Sequence, residues 1–120
     1  MEDINIIDNY MDEREFRNYI IPFLEKEGFT NIRIDDTRTA DLNDYNNNDL
    51  TGCKDENEYT IRALANYAIT KKEVNDTVND MYNENVSFGI ILTNTEVDDE
   101  TVEYAKQNNI TIYDRKYFTK

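Results

Sequence analysis

Phe88-Gly-Ile-Ile-Leu-Thr93 is a short unbroken apolar run in a chain of which 32% is charged. It shows no alternation, so neither side of it faces water. Such a run predicts a strand covered on both faces, as in a sheet with parallel pairs. That sheet needs a layer of helices on each side, which confines the chain to an α/β architecture.

The rest of the chain supplies those layers. Asp12 to Glu15 has the form of a helix start, where each end satisfies free backbone N–H groups. Phe16, Tyr19, Ile20, Phe23 and Leu24 follow on one helical face, with Gly28 as the stop and Pro22 as a kink. Phe29 to Asp35 alternates apolar and polar, with Phe29, Ile32 and Ile34, and reads as a strand, and residues 35–48 read as a polar loop. Asp49–Cys53 and Asn57–Leu64 read as a hairpin turning at Lys54–Glu56. Thr70 to Glu73 is a second capping box, followed by Val74, Val78, Met81 and Tyr82 as an apolar stripe. Asp98 and Asp99 open a third helix with Val102, Tyr104 and Ala105 along it, and Ile110 to Tyr113 is a last strand. The expected fold is a mixed β-sheet flanked by helices, in the order α-β-β-β-α-β-α-β. It forms one domain over residues 11–120, preceded by an acidic extension over 1–10 whose Ile4, Ile6 and Ile7 pair as a short strand or fray.

Charge narrows the function. The chain has 26 acidic and 13 basic residues and a net charge of −13. Residues 1–60 hold 16 acidic and 6 basic side chains, against 10 and 7 in residues 61–120. Affinity for DNA comes largely from Lys and Arg displacing counterions, so direct DNA binding is not expected. The absence of histidine removes the commonest metal ligand and general base. One cysteine, Cys53, allows no internal disulfide and points to a reducing compartment. In a strand it reads as a small core residue. No apolar run approaches the roughly 18 residues of a membrane span, so no membrane partner is expected and the chain reads as cytoplasmic.

The order of these pieces resembles the Mrr-type restriction endonuclease domain, a branch of the PD-(D/E)xK nuclease superfamily with a restriction-endonuclease-like fold. Arg14-Glu15-Phe16 and Glu25-Lys-Glu-Gly28-Phe29 resemble the ends of its first helix. Asn46-Asn-Asn-Asp49-Leu50 resembles its turn and motif Asp, and Tyr59-Thr-Ile61-Arg62-Ala63-Leu64 its (E/Q)-x-K strand. Ile90-Ile-Leu92-Thr93-Asn94 and Ala105 through Asp114 resemble its closing segments. The similarity covers roughly residues 11–118.

The resemblance implies a magnesium ion held by the motif Asp and the Glu/Gln, with the Lys orienting the attacking water. This chain departs from that pattern. Asp49 matches the acid and Glu15 a first-helix Glu that some members add. Arg62 stands at the ligand position and Leu64 at the lysine position. An Arg repels a divalent cation, and Leu cannot orient water. The expected site is therefore vestigial (Glu15, Asp49, Arg62, Leu64), without metal or cofactor, its carboxylates forming a plain ion pair with Arg62. Lys54, Lys71 and Lys72 are the candidates for a migrated lysine.

The acid-rich half then reads as a contact surface. Asp35, Asp36, Asp41, Asp44, Asp55, Glu56 and Glu58 supply charge, and Tyr45 an aromatic anchor. Like charge repels DNA while attracting Arg-rich grooves. The expected function is that of a catalytically inactive nuclease fold acting by protein binding. Its partner would be a basic nucleic-acid-binding protein such as a host defence nuclease, and the role that of an anti-CRISPR or anti-restriction protein mimicking DNA. The alternative is a metal-dependent Mrr-like endonuclease, using magnesium and forming a homodimer. A third reading is a structural module of a larger restriction system.

Overall fold

A computed structural model describes residues 13–34 and 48–118. The elements run α1 (Glu13–Lys26), β1 (Thr30–Ile34), β2 (Asn48–Lys54), β3 (Asn57–Leu64), α2 (Lys71–Glu84), β4 (Phe88–Thr93), α3 (Asp99–Gln107), β5 (Ile110–Tyr113) and α4 (Arg115–Phe118). The expected order is reproduced, with α4 added at the end. The five strands lie side by side in chain order. β1, β2 and β3 are antiparallel, while β3, β4 and β5 are parallel. Among the described residues no helix is long and apolar enough to cross a membrane.

Side-chain alternation on the strands divides the core in two. Phe16, Ile20 and Leu24 of α1 pack with Leu50, Ile61, Ala63, Ile90 and Leu92. Val74 and Met81 of α2 and Ala105 of α3 pack with Leu64, Ile91 and Ile110. Neighbours along β3 and β4 thus serve opposite faces, and residues 90–92 are buried on both sides as their unbroken run requires. Each fully buried Leu, Ile or Phe contributes about 1.5–3 kcal/mol relative to exposure.

Several local signals act where the sequence puts them. The Gly28 N–H bonds the Glu25 carbonyl at 3.1 Å and the Phe29 N–H bonds that of Leu24 at 3.0 Å. With Gly28 at φ 102°, this is a Schellman stop for α1. The helix runs through Pro22 without ending there. At α2, Thr70 Oγ1 accepts from the Lys72 N–H and the Thr70 N–H donates to Glu73 Oε1 at 2.6 Å, closing the capping box.

Other details differ. Strand β1 does not alternate simply. Thr30 lies opposite Cys53 and Arg33 opposite Thr51, so β1 carries an extra residue between them. Asn31 (φ 56°) sits in that bulge, which brings Ile32 onto the α1 face with Phe29. The hairpin turn is shorter than expected, with Asp55 and Glu56 both at positive φ. Cys53 is half-buried rather than in the core. The N-terminal extension, Asp12 of the first capping box and most of the 35–48 loop lie outside the described residues.

Candidate functional site

The hairpin register places Asp49 directly opposite Arg62, and the parallel register places Arg62 beside Ile91. Thr60, Arg62 and Leu64 therefore share the face of β3 that lies under α2. Arg62 forms an ion pair with Asp80 of α2, with side chains only 17% and 20% exposed. One turn further along α2, Glu84 accepts a hydrogen bond from Thr60 Oγ1 at 3.4 Å. Two acids at i and i+4 thus pin the helix to the strand.

The next residue on this face of β3, Leu64, is built into the core. Leu64 is 7% exposed and packs with Ile69, Val74 and Ile91. An apolar side chain in that cluster stabilises the packing of α2, where a lysine would bury an ammonium. Arg62 presents a guanidinium, which has five donors and no acceptor. Magnesium requires oxygen ligands, so Arg62 and Leu64 do not fit it. Among the described residues no three His, Cys, Asp or Glu side chains gather as a metal would need.

Glu15 is placed elsewhere. Its helix lies over the opposite face of the sheet, and its side chain is exposed. The expectation of Glu15 as an Arg62 partner is corrected here: the acid that sequence reading missed is Asp80. The signal existed as a polar stripe on α2, Glu73, Thr77, Asp80 and Glu84, beside the apolar one. Of the three candidate lysines, Lys54 lies over the Phe29 ring at 5.4 Å, Lys71 pairs with Glu100 and Lys72 with Asp76. Lys71 and Lys72 stand about 12–14 Å along the helix from Asp80, at 1.5 Å per residue.

The residues resembling the family's closing segments are joints of the fold. Asn94 is fully buried; its Oδ1 accepts from the Asn66 N–H at 2.7 Å and its Nδ2 donates to Asn66 Oδ1 at 3.1 Å. This holds Asn66 in a left-handed turn (φ 58°) after β3. Asp114 accepts from the Val97 N–H at 2.9 Å and from the Tyr117 N–H at 3.3 Å, joining β5, α4 and the loop before α3.

A family model described as restriction endonuclease, the Mrr catalytic domain, matches residues 8–120. The chain belongs to the Mrr-type restriction endonuclease family. No curated protein matches it. Within this Mrr-type domain the described contact candidates Asp55, Glu56 and Glu58 are all exposed, at and beside the hairpin turn. Asp35, Asp36, Asp41, Asp44 and Tyr45 lie outside the described residues, as does the side chain of Asp49.

Proposed function

We propose that this Mrr-type domain has kept the fold and lost the DNA chemistry, and that it acts by binding another protein. The observation that carries this reading is the pair at the motif positions: Arg62 committed to Asp80, and Leu64 built into the core. A guanidinium there disfavours a divalent cation electrostatically, and no amine is present at position 64 to offset charge on a phosphoryl transition state. The net charge of −13 supports a basic partner rather than DNA itself. The reading is an acidic, DNA-mimic-like inhibitor of a host defence nuclease, of the anti-CRISPR or anti-restriction kind, working in the host cytoplasm without a metal cofactor.

The test has two arms. Purified protein incubated with plasmid and Mg or Mn is expected to leave the DNA intact. A pull-down from the native host is expected to retain a basic nucleic-acid-binding protein, released as salt rises. Complex formation indifferent to salt, or no basic partner at all, counts against the reading. The second reading, a metal-dependent endonuclease or restriction-system subunit, draws on the family match over 8–120 and on Asp49 in register with Arg62. Cleavage that disappears on Asp49→Ala would establish it.

A further inference from the structure

The two edges of the sheet are not alike. Strand order leaves β1 and β5 with one neighbouring strand each among the described residues. An edge strand exposes backbone donors and acceptors, and folds blunt such edges with bulges and charges. β1 is blunted by the bulge at Asn31 and by the exposed Arg33. β5 has neither device. Ile110-Thr-Ile-Tyr113 carries no charge and no proline, and its register against β4 runs unbroken.

The hydrogen-bond phase of β5 is fixed by its partner. The Gly89 N–H bonds the Asn109 carbonyl at 3.0 Å. A parallel ladder engages alternate residues, so Thr111 bonds inward to β4 while the N–H and C=O groups of Ile110 and Ile112 point outward. Outward groups at these two positions are complementary to themselves. Across a two-fold axis at Thr111, Ile110 of one strand exchanges both bonds with Ile112 of the other. The side chains beside the edge suit burial. Ile112 is half-buried with Val102 on the α3 face, and Tyr113 and Tyr117 are half-buried with rings 4.7 Å apart near α1.

Charge favours a copy of the chain over a basic partner here. Residues 104–118 hold three basic side chains and one acid, in a chain whose net charge is −13. Two copies therefore meet at this edge with little local repulsion, whereas a basic partner is drawn to the acidic half instead. We propose that β5 pairs antiparallel with β5 of a second copy of this chain, with Thr111 on the two-fold axis. The two five-stranded sheets become one, and the contact is isologous. This surface lies beyond the protein-binding reading and does not depend on it.

The experiment is sedimentation equilibrium of the full chain over a range of concentrations and salt. A reversible monomer–dimer equilibrium is expected, and it should tighten as salt screens the repulsion between two acidic chains. Thr111 is exposed, so the fold should tolerate its replacement. Thr111→Lys sets like charges opposite each other and should weaken the dimer at least tenfold, while Thr111→Val should retain it. The register has its own test. Facing residues of a non-hydrogen-bonded antiparallel pair lie about 4.5 Å apart at Cα, within disulfide range. Thr111→Cys in a Cys53→Ser background should therefore give a disulfide-linked dimer under oxidised glutathione, and Asn57→Cys at the hairpin turn should not. A monomer under all conditions, a dimer indifferent to Thr111→Lys, or equal cross-linking through Asn57→Cys would overturn the proposal. So would a monomeric chain whose pulled-down partner is released by Thr111→Lys, since the edge would then take a strand of another protein. A basic partner binds more weakly as salt rises while the dimer binds more tightly, so either reading can fail alone.

Discussion

Arg62 on β3 is paired with Asp80 on α2, 18 residues further along the chain. The pair lies under the helix, where water screens it only partly. Breaking a partly buried pair leaves one charge poorly solvated, whereas replacing both partners removes the conflict. Asp80→Ala is therefore expected to cost about 2 kcal/mol in urea unfolding. The double variant Arg62→Leu/Asp80→Leu should cost less than the sum of its single variants. Strict additivity would mean that the pair is not energetically coupled.

Leu64 gives a second measurement. Leu64→Ala opens a cavity in the α2-side core and is expected to cost about 2–3 kcal/mol. Leu64→Lys buries an amine and should destabilise at least as much. A lysine variant as stable as wild type would show that the position is open to solvent.

Gly89 lets α2 approach β4. A Cβ built there would lie 2.9 Å from Met81 Sδ and 3.1 Å from Ile110 Cγ1. Gly89→Ala should cost about 1–3 kcal/mol through overpacking. Met81→Ala in the Gly89→Ala background should cost less than in wild type, because it vacates the clashing space. Equal costs in the two backgrounds would place the strain elsewhere.

The hairpin turn offers a gain instead of a loss. Glu56 sits at φ 70°, a left-handed conformation that glycine adopts without steric cost. Glu56→Gly should raise stability by about 0.5–1 kcal/mol, read as a higher urea midpoint. An unchanged or lower midpoint would contradict a strained turn.

Stability should also fall at alkaline pH. Burial raises the Tyr113 phenol above its usual 10.0, and Glu27 adds to the effect; Tyr117 is raised for the same two reasons. The folded state therefore binds these protons more tightly than the unfolded state. Their contribution is complete below pH 10 and declines as pH rises beyond it. Tyr113→Phe should flatten the loss above pH 10, and an identical alkaline limb in that variant would remove Tyr113 as its source.

Much of the fold was legible because its signals are local. The Gly28 stop and the Thr70–Glu73 box each join groups within a few residues, so side-chain chemistry alone predicts them. The alternation expected over Phe29, Ile32 and Ile34 is interrupted by the bulge at Asn31, which is set by pairing with β2 and so is not visible in the strand's own sequence. Tyr82 belongs to the apolar stripe of α2 by sequence, but it turns away from the core. A helix of 3.6 residues per turn cannot keep positions 81 and 82 on the same face.

By itself the sequence determined the order of elements, the acid excess, and the Arg and Leu at positions 62 and 64. These are matters of residue identity and of hydrogen bonding over a few residues. Only the tertiary structure decided that Arg62 meets Asp80, that Glu15 lies across the sheet, and that Leu64 closes the core. Those outcomes depend on which face of β3 each helix covers. Strand alternation and the crossover through α2 settle that together, and no short window of sequence contains both.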